Sequence, residues 1–265
     1  LNEKHWIAVA YGGGTNSTAM LCGFRERGIV PNLIAFADTG SEMPETYAHV
    51  EYMARKVEEW WNLKLHVVHK SYQGKFEGLE KACLRLQQLP GLAYGKRSCS
   101  SKYKHEPQER ILKREMRAEG VSIAIKAIGY GYDEPRRWQG KRFGQALTTK
   151  LFEIYWYPLV EWQWTRADCI EAIHRHGLPL PGKSACFFCP GRKKSEVFEL
   201  REKHPDLLAR ALAIEDAAQA TNTTDRGLGG QSSHWRKWLD LPRPTGLDLE
   251  PHHIPCDCYD GGEEL

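Results

Sequence analysis

The chain has 265 residues, 41% of them hydrophobic, a formal net charge of +3 and a sequence pI near 8.4. That length supports one sizeable core with a smaller attached unit, because single cores stop growing near ~250–300 residues, and the mild positive balance suits an anionic substrate without marking a nucleic-acid binder. No stretch reaches the ~18 apolar residues a bilayer span needs and LNEKHW has no signal-peptide core, so a cytoplasmic protein with no membrane partner is expected. Eight cysteines in such a chain would stay reduced, and clustered ones read as metal ligands or catalytic thiols.

Along the chain, apolar runs alternate with amphipathic patterns. HWIAVAY is followed by a helix over about residues 17–27, NLIAFAD by a helix over Pro44–Trp61, and LKLHVVH and SIAIKAIGY come later. This alternation predicts βαβ units: an α/β fold with a doubly wound parallel sheet covered on both faces. In the long helix, Pro44 stands where a missing N–H costs nothing and Glu45 suits the positive end of the dipole. Its Tyr47, Val50, Met53, Ala54, Val57 and Trp61 share one face and are expected in the core.

After Tyr130 comes a loop-rich basic stretch, DEPRRWQGKRFGQALTTK, then YWYPLVEW and TRADCIEAIHRHG. Thr165 and Asp168 form a capping box and Gly177 stops the helix. GLPLPGKSACFFCPGRKKSE is a turn-rich connector, helices follow over about residues 195–220, and the tail has little periodicity. The expected division is a nucleotide-binding α/β domain over 1–164 and a mostly helical, cysteine-bearing region over 165–265.

The segment YGGGTNS ends the first apolar run and opens a helix. A glycine turn at a helix N-terminus presents backbone N–H groups and a positive dipole end to phosphate. A Walker loop would end in Gly-Lys-Ser/Thr, and this one has no lysine. Gly12, Gly14 and Ser17 approach a dinucleotide fingerprint, with Asp38 where a ribose-binding acid would stand. The plain alternative is a turn capped by Asn16 or Ser17, although three glycines exceed what a cap requires.

Cys186 and Cys189 form C-x-x-C-P, and Cys256 and Cys258 form C-x-C. Such spacings let two thiolates meet one ion or cluster edge, and ligation would hold an irregular tail that packing cannot. Zinc and [4Fe–4S] both accept four thiolates. Cys22, Cys83 and Cys169 fall in helical patterns and read as buried small hydrophobes, and His252 and His253 read as solvated tail residues or zinc ligands.

YGGGTNS resembles the PP-loop of the adenine-nucleotide alpha-hydrolase superfamily, usually Ser-Gly-Gly-x-Asp-Ser, with Gly12 in place of the Ser and Asn16 in place of the Asp. FADTGSEMPET, RSCSSKYKHEP and IGYGYDEPRR resemble segments of the phosphoadenylylsulfate (PAPS) reductase branch, in order. YPLVEWQWTRADCIEAIHRHGLPLPGKSACFFCP looks like the second half of bacterial and phage proteins of that family. The resemblance implies that Gly12, Gly13, Gly14, Thr15, Asn16 and Ser17 hold a nucleotide's phosphates, with Asp38 and Thr39 beside its sugar or a metal-bound phosphate. It implies that Arg97, Lys104 and Arg137 supply positive charge, Lys104, Arg137 and Asp38 being the candidate catalytic residues. It also favours [4Fe–4S] over zinc, held by four of Cys99, Cys186, Cys189, Cys256 and Cys258; if Cys99 is not a ligand it would carry sulfur.

The layout is similar to the ATP pyrophosphatase component of bacterial DNA phosphorothioation systems and to tRNA thiolation enzymes. The implied activity is adenylylation of an acceptor by ATP with Mg²⁺ for sulfur insertion, with a cysteine desulfurase as sulfur donor and DNA or tRNA as acceptor. A PAPS or adenylylsulfate reductase is the second reading, although the Glu-Cys-Gly-hydrophobic-His segment such enzymes use is replaced by PCDCYDGGEEL. A non-catalytic nucleotide-binding partner is the third. The basic stretch over 136–150, with Trp138 and Phe143, is a candidate nucleic-acid contact or an active-site lid.

Overall fold

The computed structural model describes residues 6–141, 143–221 and 225–242. In chain order the elements are β1 (Ile7–Tyr11), α1 (Thr15–Glu26), β2 (Leu33–Asp38), α2 (Pro44–Trp61), β3 (Leu65–His69), the small hairpin β4 (Ser71–Tyr72) and β5 (Lys75–Phe76), and α3 (Leu79–Leu86). The single turn α4 (Ser98–Ser100), α5 (Glu106–Ala118), β6 (Ile123–Ile128), α6 (Pro135–Trp138), β7 (Gly144–Ala146), β8 (Phe152–Trp156) and α7 (Pro158–Glu161) follow. The chain continues through α8 (Arg166–Arg175), α9 (Lys194–Lys203), α10 (Pro205–Gln219), the hairpin β9 (Arg226–Gly227) and β10 (Gly230–Gln231), and α11 (Trp235–Leu239).

Two compact units form, each from separated segments: the described parts of Leu1–Ala37, Met43–Val68 and His105–Ser184 make one, and those of Asp38–Glu42, His69–Lys104 and Ala185–Leu265 the other. Each unit draws on chain from both sides of residue 164, and the division at 164/165 stays an expectation drawn from the sequence.

The central sheet has the order β3-β2-β1-β6-β8-β7. β1 pairs in parallel with β2 and β6, β6 in parallel with β8, and only β7 runs antiparallel to its neighbour β8. Alternation within the strands feeds two cores. Val9, Tyr11, Ile34, Phe36 and Ala127 point to one face, where Met20 and Phe24 of α1, Met53 and Val57 of α2, and Cys169 and Ile173 of α8 cover them. Ala8, Leu33, Ala35 and Ala124 point to the other, under Ile111, Leu112 and Met116 of α5. Burial on both faces is why these strands read as nearly continuous apolar runs. The architecture is the expected α/β type.

α2 has the predicted bounds, and Val50, Met53 and Val57 are buried as expected, but Tyr47 is 37% exposed, because it lies at the margin of the apolar stripe. Sequence pattern does not single out β8: FEIYW is only half-buried, with Glu153 fully buried, which blurs the alternation. The Thr165 cap on α8 is as predicted: the hydroxyl accepts from Asp168 N, and the Asp168 carboxylate accepts from Thr165 N at 2.8 Å.

In the other unit α10 packs against α3, α9 and α11. The buried Glu215 carboxylate accepts from the N–H groups of Leu228 (2.7 Å), Trp235 (3.0 Å) and Arg236 (3.2 Å). Three amide donors stabilise a charge that burial alone would penalise, and they fasten the β9–β10 hairpin and the start of α11 to α10.

Candidate functional site

The glycine turn lies between β1 and α1, in the unit that holds the sheet. Gly13 has φ +72°, and a Cβ there would meet Val50 Cγ2 at 3.1 Å, Thr46 Cγ2 at 3.2 Å and Phe36 Cε2 at 3.3 Å. Glycine is therefore required both by conformation and by space. A Cβ on Gly14 would stand 2.7 Å from Ser184 Oγ. α1 starts at Thr15 with Gly14 as its N-cap residue; the Ser17 hydroxyl accepts from Gly14 N at 3.3 Å and donates to Gly14 O at 3.1 Å, and the first turn holds no acid. With no carboxylate in that turn, the dipole end and the amides after Gly14 face no competing negative charge of the helix itself and suit an anion.

Behind the turn runs a buried polar chain. Tyr11 Oη and Thr18 Oγ1 are 3.0 Å apart, and Thr18 Oγ1 lies 3.0 Å from His49 Nε2. Burial pushes the His49 imidazole down to about 4, so it is neutral near pH 7, and pushes the Tyr11 phenol up. The chain braces the first turn of α1 from inside the core.

Beside the turn, the Gly-x-Gly after β6 brings backbone close to α1. A Cβ on Gly129 would lie 3.1 Å from Ser17 Cα, and one on Gly131 would lie 2.6 Å from Asp133 Oδ1. Glu134 Oε2 accepts from Asn16 Nδ2 (2.9 Å) and Gly131 N (3.0 Å), while Oε1 accepts from Arg137 Nη1 (2.9 Å). Arg166 Nη1 donates to Asn16 Oδ1 at 3.2 Å, and the Arg137 guanidinium lies 4.5 Å from the Tyr130 ring centre.

The other unit holds the thiols. Asp38 Oδ1 accepts from Gly40 N at 2.7 Å, tightening the turn after β2. Thr39 is buried, donates to Glu42 Oε1 at 3.2 Å and has its Oγ1 3.3 Å from Cys186 Sγ. Glu42 is ion-paired with the buried Lys104 Nζ at 3.2 Å and bridges Cys186 through backbone. Cys189 N donates to Cys186 O at 3.0 Å, so the C-x-x-C closes as a tight turn, and Arg192 Nε donates to the same carbonyl at 3.3 Å.

Cys99, Cys186 and Cys189 line one cavity together with Thr39 and Lys104. The cavity is small, about 40 Å³, and its other walls are mainly Leu79, Pro90, Leu92, Phe188 and Pro190.

The predicted residues therefore divide. Gly12 to Ser17 and Arg137 belong to the sheet unit, and Thr39, Lys104, Cys99, Cys186 and Cys189 gather at the cavity of the other. Arg97 is exposed just before α4, and Cys256 and Cys258 lie outside the described residues, as do His252 and His253. Among the described residues no group of three or more His, Cys, Asp or Glu is placed to hold a metal ion, so three shared-cavity thiols do not by themselves make the expected centre. Cys22, Cys83 and Cys169 are buried as expected, and burial pushes each thiol up to about 12. In the basic stretch, α6 and β7 form, Trp138 stacks near Tyr132 and Phe143 is 73% exposed.

Sequence reasoning missed Glu42, His49, Glu134, Arg166 and Ser184. Glu42 and Glu134 stood inside quoted motifs, yet only tertiary pairing reveals what each carboxylate holds; Ser184, two residues before Cys186, had no signal of its own.

The family model for the phosphoadenosine phosphosulfate reductase domain matches residues 6–182, more than half of the chain. Compared with curated proteins one by one, the chain matches none. The matched span runs from the start of β1 past α8, taking in the glycine turn, the Glu134 cluster and the Thr39–Lys104 pocket wall. The chain belongs to the phosphoadenosine phosphosulfate reductase domain family, and so to the PP-loop superfamily of nucleotide-using enzymes.

Proposed function

We propose that this enzyme uses ATP to adenylylate an oxygen of an acceptor, a nucleic acid of the DNA phosphorothioation or tRNA thiolation type, so that sulfur can replace it. The observation that carries the reading is the gathering of Cys99, Cys186 and Cys189, from distant stretches of sequence, around one cavity that also has Thr39 and Lys104 in its wall.

In this scheme MgATP is the substrate. The amides of Gly13 to Ser17 and the α1 dipole hold its phosphates, and Arg137 offsets charge as it develops on departing pyrophosphate. The acceptor oxygen forms a bond to the α-phosphorus as the bond to pyrophosphate breaks. A cysteine desulfurase delivers its sulfur as a persulfide on one cavity thiol; the outer sulfur displaces AMP, a second cavity thiol attacks the inner sulfur to release the thio-product, and a dithiol reduces the disulfide left behind. The cavity thiols are the place for that sulfur, with the Lys104–Glu42 ion pair beside them. Asp38 shapes the turn that presents Thr39.

The family equally accommodates reduction of PAPS. Against it stands the chain's lack of the Glu-Cys-Gly-hydrophobic-His segment. The test is product analysis in two parallel reactions. With MgATP, DNA or tRNA, and a cysteine desulfurase with cysteine and a dithiol, the proposal expects AMP and pyrophosphate; with PAPS and a dithiol it expects no sulfite. Sulfite from PAPS would instead establish the reductase, and binding without turnover of either nucleotide would leave a nucleotide-binding partner.

A second reading places a [4Fe–4S] cluster or zinc at the same thiols. It is favoured by their all-sulfur character and needs ligands from Cys256 or Cys258 to complete the set.

A further inference from the structure

Position 16 has opposite neighbours at the two ends of its side chain. The Nδ2 end faces a carboxylate, Glu134 Oε2 at 2.9 Å, and the Oδ1 end faces a guanidinium, Arg166 Nη1 at 3.2 Å. The amide satisfies both, since it donates from one end and accepts at the other, whereas a carboxylate accepts at both. A carboxylate at position 16 would place an oxygen where Nδ2 stands, at hydrogen-bond distance from Glu134, and two carboxylates so close cannot both ionise without displacement.

Glu134 is itself engaged from three sides, by Asn16, Gly131 N and Arg137 Nη1. The tight approach is built in, because a Cβ on Gly131 would lie 3.3 Å from Asn16 Nδ2 and 3.4 Å from Glu134 Oε2.

We infer that Glu134 is a positioning residue of the phosphate site: it orients the Asn16 amide and the Arg137 guanidinium toward the nucleotide's polyphosphate, and Asn16 and Glu134 operate as a matched amide–carboxylate pair. This rests on the nucleotide reading given above. The carboxylate of this neighbourhood is thus carried on the segment after β6, and an aspartate placed at position 16 damages the site.

The experiment is a swap measured by titration calorimetry with MgATP and, separately, PAPS, each variant being melted to check its fold. Asn16→Asp and Glu134→Gln are each expected to weaken nucleotide binding about tenfold or more, the size of coupling between contacting side chains. The double variant N16D/E134Q restores the amide–carboxylate contact, with Arg166 against the carboxylate at position 16. The amide nitrogen introduced at position 134 then also faces Gly131 N and Arg137 loses its carboxylate, so binding is expected to recover at least about threefold over the worse single variant without reaching the parent. Should N16D fold poorly, E134Q, which keeps the shape and removes the charge, carries the single-variant measurement. Recovery in the swap is a readout that loss of packing alone would not produce.

Parent-like binding by N16D and E134Q, or a double variant no better than the worse single, overturns the inference while leaving the phosphate loop intact. A parent that binds neither nucleotide overturns the nucleotide reading and this inference together.

Discussion

His49 shows how one side chain couples the phosphate turn to stability. Its pKa lies near 4 through burial, against 6.5 for the ordinary imidazole. Between those values the unfolded chain holds the proton and the folded chain does not, so stability from this group is intact above about 6.5 and falls as pH drops toward 4. His49→Gln keeps a polar partner for Thr18 and cannot titrate there. Urea denaturation at about pH 7 and about pH 4.5 should show a smaller loss of stability for H49Q than for the parent. Equal losses would mean that His49 is protonated in the fold. Composition marks a histidine as a switch; only the core around α2 turns this one into a neutral brace.

At the scale of elements, α1 is held by contacts that reverse an ordinary rule. An alanine for glycine in an open helix gains about 1 kcal/mol. Gly23, however, faces Trp162, and a Cβ there would overlap Cζ3 of that ring and stand 2.9 Å from its Cη2. The ring is also packed at 6.1 Å from Phe24 and covered at 4.0 Å by Arg27, so it has little freedom to yield. Overpacking costs about 1–3 kcal/mol and outweighs the propensity gain. Gly23→Ala should lower the denaturant midpoint, and a midpoint at or above the parent's would show that the indole moves aside. The α1 and α2 helices were legible from periodicity and capping, because their apolar stripes face a single core. β8 was not: its Glu153 is buried and ion-paired with Lys126 at 3.3 Å, a tertiary arrangement that puts a charge where alternation expects an apolar residue.

Over the whole molecule, the metal question turns on chain that includes the tail. The cluster reading predicts about four iron and four acid-labile sulfide per chain in protein purified without oxygen, lost on Cys186→Ser or Cys256→Ser. Zinc in their place would assign a structural clamp, and the absence of both would leave Cys99, Cys186 and Cys189 as working thiols. The cysteine spacings were legible because a C-x-x-C is a local turn. That Cys99 joins them at one cavity was legible only through the resemblance, since 87 positions separate Cys99 from Cys186.

The sequence by itself determined the α/β alternation, the glycine turn ahead of α1, the capped helix α8, the buried helical cysteines and the family, because each is written in local spacing that a short stretch of chain satisfies alone. Tertiary structure alone decided that Glu134 and Arg166 grip opposite ends of Asn16, that Glu42 neutralises Lys104 beside Cys186, and that His49 stands neutral under the turn. Those facts depend on which charges and dipoles are brought together out of water, where an unpaired group is costly, and no periodicity in the chain encodes that pairing.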